Sequence, residues 1–371
     1  MAAYNAIKAF DTSRPVQYER NNDIVDMGSN QYPSVDWVRQ AVKGTSKGIK
    51  YPYHISEYAH SMGNSLGNLA DYWQAIESTN FFCGAAIWDW VDQAIDTYTA
   101  EGTKFFGYGG DHGDWPNDGM FCMNGIMLPD LTPKPQYYEV KKVYQNVSVT
   151  ANEIKMEKDG GTVGFTIFNK NYFEAITPDT YDIVACLVRD GKVVQEAPVA
   201  LTEDILPRME MHCSCPADMS ARGEYFLNVE FRLKRDMPWA GKGYVQMAEQ
   251  LPLADTRQLA KIPAGQKQSL KLTKNADKTV VSCKDFAITF DNERGCLCGM
   301  QYGGKTLFED SPLLLSTFRA PVDNDNWARD QWFKHGLYDL QHKVQGNPSV
   351  IRNADGTMLL ASTTVPSGYT L

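Results

Sequence analysis

The sequence predicts a multidomain chain: an α/β part over residues 1–146, then all-β parts over 147–273 and 274–371. Three observations carry this. Helical apolar stripes alternate with short apolar runs as far as Tyr144, which is the signature of strands joined by crossover helices. From Asn146 onward the apolar period becomes two, with turn residues between runs. At 371 residues and 43% hydrophobic content, the chain exceeds one ordinary domain and can fill several cores.

Within the first part, Ala3, Tyr4, Ile7 and Phe10 form a helical stripe, closed by the turn Asp11–Pro15. Val16–Glu19 and Asp23–Met27 are expected as short strands. Ser34 is expected to cap a helix carrying Val35, Val38 and Val42, and the apolar run before Glu57 to form the next strand. Asn64 or Ser65 would cap a helix whose Leu66, Leu69, Trp73 and Ile76 share one face. Phe82–Trp88 reads as a fourth strand and Pro135–Tyr144 as a last helix. About 146 residues hold half to two-thirds of an eight-stranded α/β barrel, which takes about 250. A small doubly wound domain also fits that length, although no Gly-rich phosphate loop follows any strand.

In the second part, Thr162–Phe168, Tyr181–Leu187, Lys192–Val194 and Glu224–Phe231 alternate between turns such as Asp159–Gly161 and Asp190–Gly191, at the spacing of an immunoglobulin-like sandwich. Thr279–Ser282, Phe286–Phe290 and Lys305–Phe308 imply further antiparallel strands around a turn at Gly295.

A net charge of -9 disfavours nucleic acid and anionic membrane as partners, and a small neutral ligand fits better. No apolar run approaches a membrane span, and the N-terminus lacks a signal-peptide pattern. The eight cysteines show no CxxC pair or zinc spacing, and read mostly as buried thiols.

Chemistry concentrates at strand ends, where parallel α/β folds build their sites. Glu57 sits where an apolar run meets the turn Ala59–Ser65, as a nucleophile or as a salt-bridged structural carboxylate. Tyr58 is expected to donate to that carboxylate, with His60 within reach. Trp88 and Trp90 end the next strand, either as sugar-stacking faces or as core packing. The Gly-, Asp- and Asn-rich loop 109–119 does not follow an EF-hand order, and turn chemistry explains it more simply.

Four ordered motifs, EYAHSMGNSLGN from Glu57, AIWDWVDQ from Ala86, YGGDHGDWPNDGMFCMNGI from Tyr108 and FRAPVDND from Phe318, resemble glycoside hydrolase family 2, in particular its large β-galactosidase branch. Less specific stretches, Ser13–Glu19 and Trp239–Gly243, extend the resemblance along nearly the whole chain. It implies a partial (β/α)8 TIM barrel of about strands five to eight, an immunoglobulin-like β-sandwich, and the start of a large C-terminal β-sandwich. It also implies hydrolysis of terminal β-D-galactosides with retention (EC 3.2.1.23). Glu57 then matches the nucleophile, His60 and Tyr32 residues beside it, and Trp88 the floor of the sugar pocket. Asn124 and the Phe121 carbonyl match sodium ligands. The loop Asp323–Asp325 matches a segment that approaches the site.

The family's Asn-Glu strand end, whose Glu is both general acid/base and magnesium ligand, has no counterpart in residues 1–146. Glu19, the nearest substitute, is expected to be misplaced. Both the magnesium and the sodium site are therefore expected to be incomplete, and this chain alone to have little activity. The resemblance leaves open a homo-oligomer and either a cytoplasmic or a periplasmic parent protein. Its rivals are another family 2 β-glycosidase, a glucuronidase or mannosidase, and a non-catalytic carbohydrate-binding or structural fragment.

Overall fold

The computed structural model describes residues 1–19, 22–44, 49–63, 65–157, 160–257, 269–354 and 358–367. It divides into two compact units, Met1–Leu259 and Ala260–Leu371.

The first unit opens with α1 (Ala2–Phe10), followed by β1 (Gly28–Gln31), α2 (Val35–Ala41), β2 (Tyr53–Tyr58), α3 (Leu69–Glu77), β3 (Phe82–Ile87), the hairpin β4 (Ile95–Tyr98) and β5 (Lys104–Gly107), and α4 (Pro135–Val143). β1, β2 and β3 pair in chain order, parallel throughout. Helices α2, α3 and α4 cover the sheet with Val38, Ala41, Leu69, Ala75, Ile76 and Val140, against Tyr53, Ile55, Tyr58 and Phe82. This layering of helices on a parallel sheet is that of a partial barrel.

Two predicted strands are absent. Val16–Glu19 and Asp23–Met27 form a loop closed by Asp26, whose carboxylate accepts from the Val16 amide at 2.8 Å and from the Tyr4 hydroxyl at 2.7 Å. With its acceptors engaged locally, that loop has no strand to pair with. The strand forms just after it, at Gly28–Gln31, where the Gly28 amide donates to the carbonyls of Lys50 and Pro52 at 3.0 and 3.1 Å. A Cβ on Gly28 would lie 2.2 Å from the Lys50 carbonyl, so only glycine allows that approach.

Ser34 caps α2 as expected, its hydroxyl accepting from the Trp37 amide. The cap predicted for α3 is displaced. Asn64 lies outside the described residues, Ser65 donates instead to the Met62 carbonyl, and the N-cap is Asn68 in the left-handed conformation. α1 forms, but buries none of its stripe; Phe10 is 94% exposed.

The sandwich comprises β6 (Val147–Glu157), β7 (Gly160–Asn169), β8 (Tyr181–Arg189), β9 (Lys192–Val199), β10 (Glu210–Ala217), β11 (Glu224–Leu233) and β12 (Val245–Asp255). Three strands, β10-β7-β6, form one sheet and four, β12-β11-β8-β9, the other, all antiparallel. That is an immunoglobulin-like division of seven strands. Their inner faces meet in one core that includes Phe165, Ile167, Leu187, Leu227, Val229 and Phe231. Lys142 of α4 joins the two parts through Glu249 at 2.7 Å, and Lys170 does so through Glu77 at 2.6 Å.

The second unit is a five-stranded antiparallel meander, β13 (Lys271–Lys274), β14 (Lys278–Ser282), β15 (Phe286–Asp291), β16 (Cys296–Tyr302) and β17 (Lys305–Phe308). Helix α5 (Asn326–Lys334) and the hairpin β18 (Gln341–Arg352) and β19 (Met358–Ser367) follow. All eight cysteines are free thiols, four of them buried. No described helix is long and apolar enough to cross a membrane.

Candidate active site

The parallel order of β1, β2 and β3 brings their carboxyl ends to one edge. Tyr32 follows β1, Glu57 lies one residue from the end of β2, and Trp88 follows β3. Backbone bonds lock the three ends together: the Tyr32 amide donates to the Glu57 carbonyl at 2.8 Å and the Trp88 amide to the Tyr58 carbonyl at 3.0 Å.

A bulge in β2 sets the direction of Glu57. Asn30 pairs with Ile55 but Gln31 with Glu57, and Ile55 pairs with Ala85 but Tyr58 with Ile87, so β2 holds one extra residue against both neighbours. Tyr53 and Ile55 pack under the helices; in strict alternation Glu57 would join them there. The extra residue sends Tyr58 to the helices instead and leaves Ser56 and Glu57 on the other face. Tyr58 is accordingly not the partner of Glu57. It is buried, its hydroxyl bonded to that of Tyr144 at 2.5 Å and accepting from the Trp73 indole at 2.8 Å.

The Tyr32 phenol lies close enough to the Glu57 carboxylate to feel its charge. Burial and the charges of Glu57 and Asp89 hold that phenol protonated, well above its usual range. Tyr32 reaches this position with φ at 48°, a left-handed value that a tyrosine rarely adopts, and Ala59 before His60 has φ at 59°. His60 meets the Tyr32 ring edge-on at 6.1 Å between centroids and the Phe121 ring at 5.6 Å. Burial pushes its imidazole below the usual value, against the opposing pull of Glu57 and with a smaller downward push from Lys134. Its Nε2 is buried without a hydrogen-bond partner.

Asn124 is buried, and its carbonyl accepts from the Ser61 and Asp89 amides, both at 3.1 Å. Its Nδ2 donates to the Phe121 carbonyl at 3.0 Å while its Oδ1 has no partner. An orphaned buried amide oxygen fits a monovalent cation or a hydroxyl donor, and the Phe121 carbonyl, held by Nδ2, keeps a second lone pair. Among the described residues no three His, Cys, Asp or Glu side chains gather as a metal site.

Trp88 and Trp90 are 43% and 46% exposed, so neither is core packing. The Trp88–Asp89 peptide is cis. The loop after Tyr108 is held by turn chemistry, with Asp111 accepting from the Tyr108 amide and Asp114 from the Gly110 amide. In the second unit, Arg319 grips Asp325, whose carboxylate also accepts from the Val322 amide at 2.7 Å.

Glu19 stands elsewhere than at its expected strand end, and the Asp92–Lys134 pair carries no signal in the sequence. Glu19 is not in a strand; it accepts from the Ser56 hydroxyl, on the face that Glu57 shares. Asp92 and Lys134 form a buried ion pair at 3.1 Å beneath the site. Nothing in the local pattern marks either, because each depends on a contact at least 37 residues away in sequence.

A carboxylate at the carboxyl edge of a parallel α/β sheet, with a phenol beside it and an imidazole and indole faces around it, is the kind of site that glycoside hydrolases use. Comparison with known proteins makes the family specific. Residues 1–149 match the family model for the TIM barrel domain of glycosyl hydrolases family 2, 165–254 that for domain 4 of β-galactosidase, and 282–367 that for the β-galactosidase small chain. The chain belongs to glycosyl hydrolase family 2.

It is similar to β-galactosidase 2 of Enterobacter cloacae, with 33% identity over 92% of this chain and 35% of that protein. The β-galactosidase of Priestia megaterium shares 33% identity over 94% of this chain and 34% of its own length. That of Vibrio cholerae shares 32% over 87% and 31%. The chain thus spans about a third of the length of these relatives. The crystal structure of Parabacteroides merdae β-glucuronidase with glycerol in its active site aligns at a TM-score of 0.31 and 11% identity over 78% of this chain and 36% of that one, too distant to carry an argument.

Proposed function

We propose that this chain carries the nucleophile side of a retaining β-galactosidase. Glu57 attacks the anomeric carbon of a terminal β-D-galactoside, the glycosidic C–O bond breaks, and the leaving oxygen takes its proton from a second carboxylic acid about 5–5.5 Å away. Water then hydrolyses the glycosyl ester. The Tyr32 hydroxyl supports Glu57 and releases it as negative charge leaves the carboxylate. His60 Nε2 and Asn124 Oδ1 offer unpaired polar atoms to sugar hydroxyls, and Trp88 offers an apolar face. The observation that carries this reading is the placement of Glu57 at the sheet's carboxyl edge, its carbonyl held by the Tyr32 amide at 2.8 Å, beside two buried polar atoms without partners.

A 2,4-dinitrophenyl 2-deoxy-2-fluoro-β-D-galactoside tests it, because this leaving group needs no acid and the fluorine slows hydrolysis of the ester. The expected result is one fluorogalactosyl adduct on the peptide containing Glu57, absent in Glu57→Gln and absent with the corresponding glucuronide. An adduct on a different carboxylate, or equal labelling by the glucuronide, refutes the reading. For the cation, the Phe121 carbonyl and Asn124 Oδ1 would supply two oxygens to sodium. Replacing sodium by potassium should then raise KM for galactosides, and Asn124→Ala should remove that sensitivity.

A further inference from the structure

Beneath the site, Lys134 Nζ spends all three of its donors on buried acceptors: Asp92 Oδ1 at 3.1 Å, Asp92 Oδ2 at 3.2 Å and the Ser61 carbonyl at 3.2 Å. Asp92 Oδ1 also accepts from the Gly125 amide at 2.7 Å. The two side chains are 14% and 2% exposed. Backbone bonds complete the junction, with the Lys134 amide donating to the Ile126 carbonyl at 3.1 Å and the Asp92 amide to the Met127 carbonyl at 2.8 Å. Gly125 is pressed so close that a Cβ would lie 2.3 Å from the Asp92 nitrogen.

The pair therefore clasps three segments at one point. Ser61 follows His60, Gly125 follows Asn124, and Asp92 lies four residues beyond Trp88. A buried ion pair adds little net stability, since an apolar pair of the same volume avoids the desolvation of both charges. What an apolar pair cannot do is hold a carbonyl and an amide from two different loops. The two loops so held are those whose neighbouring residues leave His60 Nε2 and Asn124 Oδ1 unpaired.

We propose that Lys134 and Asp92 are positioning residues for the galactoside site, fixing His60, Asn124 and the Trp88 segment as one rigid frame; this rests on the reading above. Unpaired buried polar atoms are poised for a ligand only if their backbone cannot relax to satisfy them. The clasp prevents that relaxation.

The test is a mutant cycle in the full protein with 2,4-dinitrophenyl β-D-galactoside, together with hydrogen exchange of the Ser61 and Gly125 amides. Lys134→Met is expected to lower kcat/KM about thirtyfold, in the range that a displacement on the order of 1 Å produces. In a His60→Ala/Asn124→Ala background the same change should cost less than about threefold, because the groups it positions are gone. Equal losses in the two backgrounds, as a merely structural role gives, overturn the proposal. Exchange at Ser61 and Gly125 should quicken about tenfold or more in Lys134→Met; unchanged exchange also overturns it. Should Lys134→Met fail to fold, Asp92→Asn is read in the same way. If the unsubstituted protein neither cleaves nor is labelled by galactosides, the galactosidase reading fails, and the amide exchange still decides whether the clasp exists.

Discussion

The two halves of the first unit spend their residues differently. In the sandwich, β11 alternates strictly: Tyr225, Leu227, Val229, Phe231 and Leu233 are all buried, and their neighbours face outward. In the α/β half the strands are short, β2 carries a bulge, and Tyr32, Trp88, Trp90 and Phe121 stay exposed at the carboxyl edge. That half also holds His60 Nε2, Asn124 Oδ1 and Gln136 Oε1, three of the four buried polar atoms without partners among the described residues. Regular packing stabilises a domain and leaves nothing over to bind with. Left-handed backbone, a bulge and unpaired polar groups are destabilising, and they persist where a ligand can use them.

If that division is right, substitutions should separate activity from stability by location. The largest effect falls on Glu57→Gln in the full protein, expected to reduce turnover of 2,4-dinitrophenyl β-D-galactoside by about a thousandfold or more, on the order of 4 kcal/mol of barrier, while the melting temperature stays nearly constant. A comparable loss of stability would mean that Glu57 is a structural carboxylate. Phe231→Ala is the mirror case. Removing this fully buried ring should cost about 3–5 kcal/mol in urea unfolding, with fluorogalactosyl labelling of Glu57 unchanged under conditions where the protein is folded. Labelling that falls in step with stability would show that the two halves do not divide the work.

The same division governs what the sequence discloses. Tyr181–Leu187 and Glu224–Phe231 are legible because both faces of a half-buried strand write themselves into a period of two. The strand Gly28–Gln31 is not. It is four residues without an apolar side chain, created by the close approach of Gly28 to the Lys50 carbonyl. Val16–Glu19 has the apolar alternation but forms no strand, because Asp26 binds its backbone first. Tyr58 was misassigned for a related reason: alternation assigns faces only up to the bulge, which no local pattern announces. Glu57, His60 and Trp88 are marked as candidates by motifs, whereas Asp92 and Lys134 acquire meaning only when loops 42 residues apart meet.

Smaller changes sharpen the comparison within the α/β half. Tyr32→Phe removes the hydroxyl that could donate to Glu57 but keeps the ring beside His60. Turnover should drop about tenfold, the scale of one charge-assisted hydrogen bond, with little change in melting because the residue is 44% exposed. A variant as active as the parent would show that the hydroxyl is incidental.

Ser34→Ala should do the reverse on a smaller scale. Its hydroxyl accepts from the Trp37 amide at 3.2 Å at the start of α2, and α2 lays Val38 and Ala41 against the sheet. Loss of an N-cap costs about 1 kcal/mol, because the amide it satisfied then has only water as partner. The helix lies on the face of the sheet opposite Glu57, so kcat/KM for galactosides should be unaffected. A loss of stability without loss of rate places the boundary between scaffold and site at the sheet itself. A fall in rate as large as that of Tyr32→Phe would place it further out, in the helices.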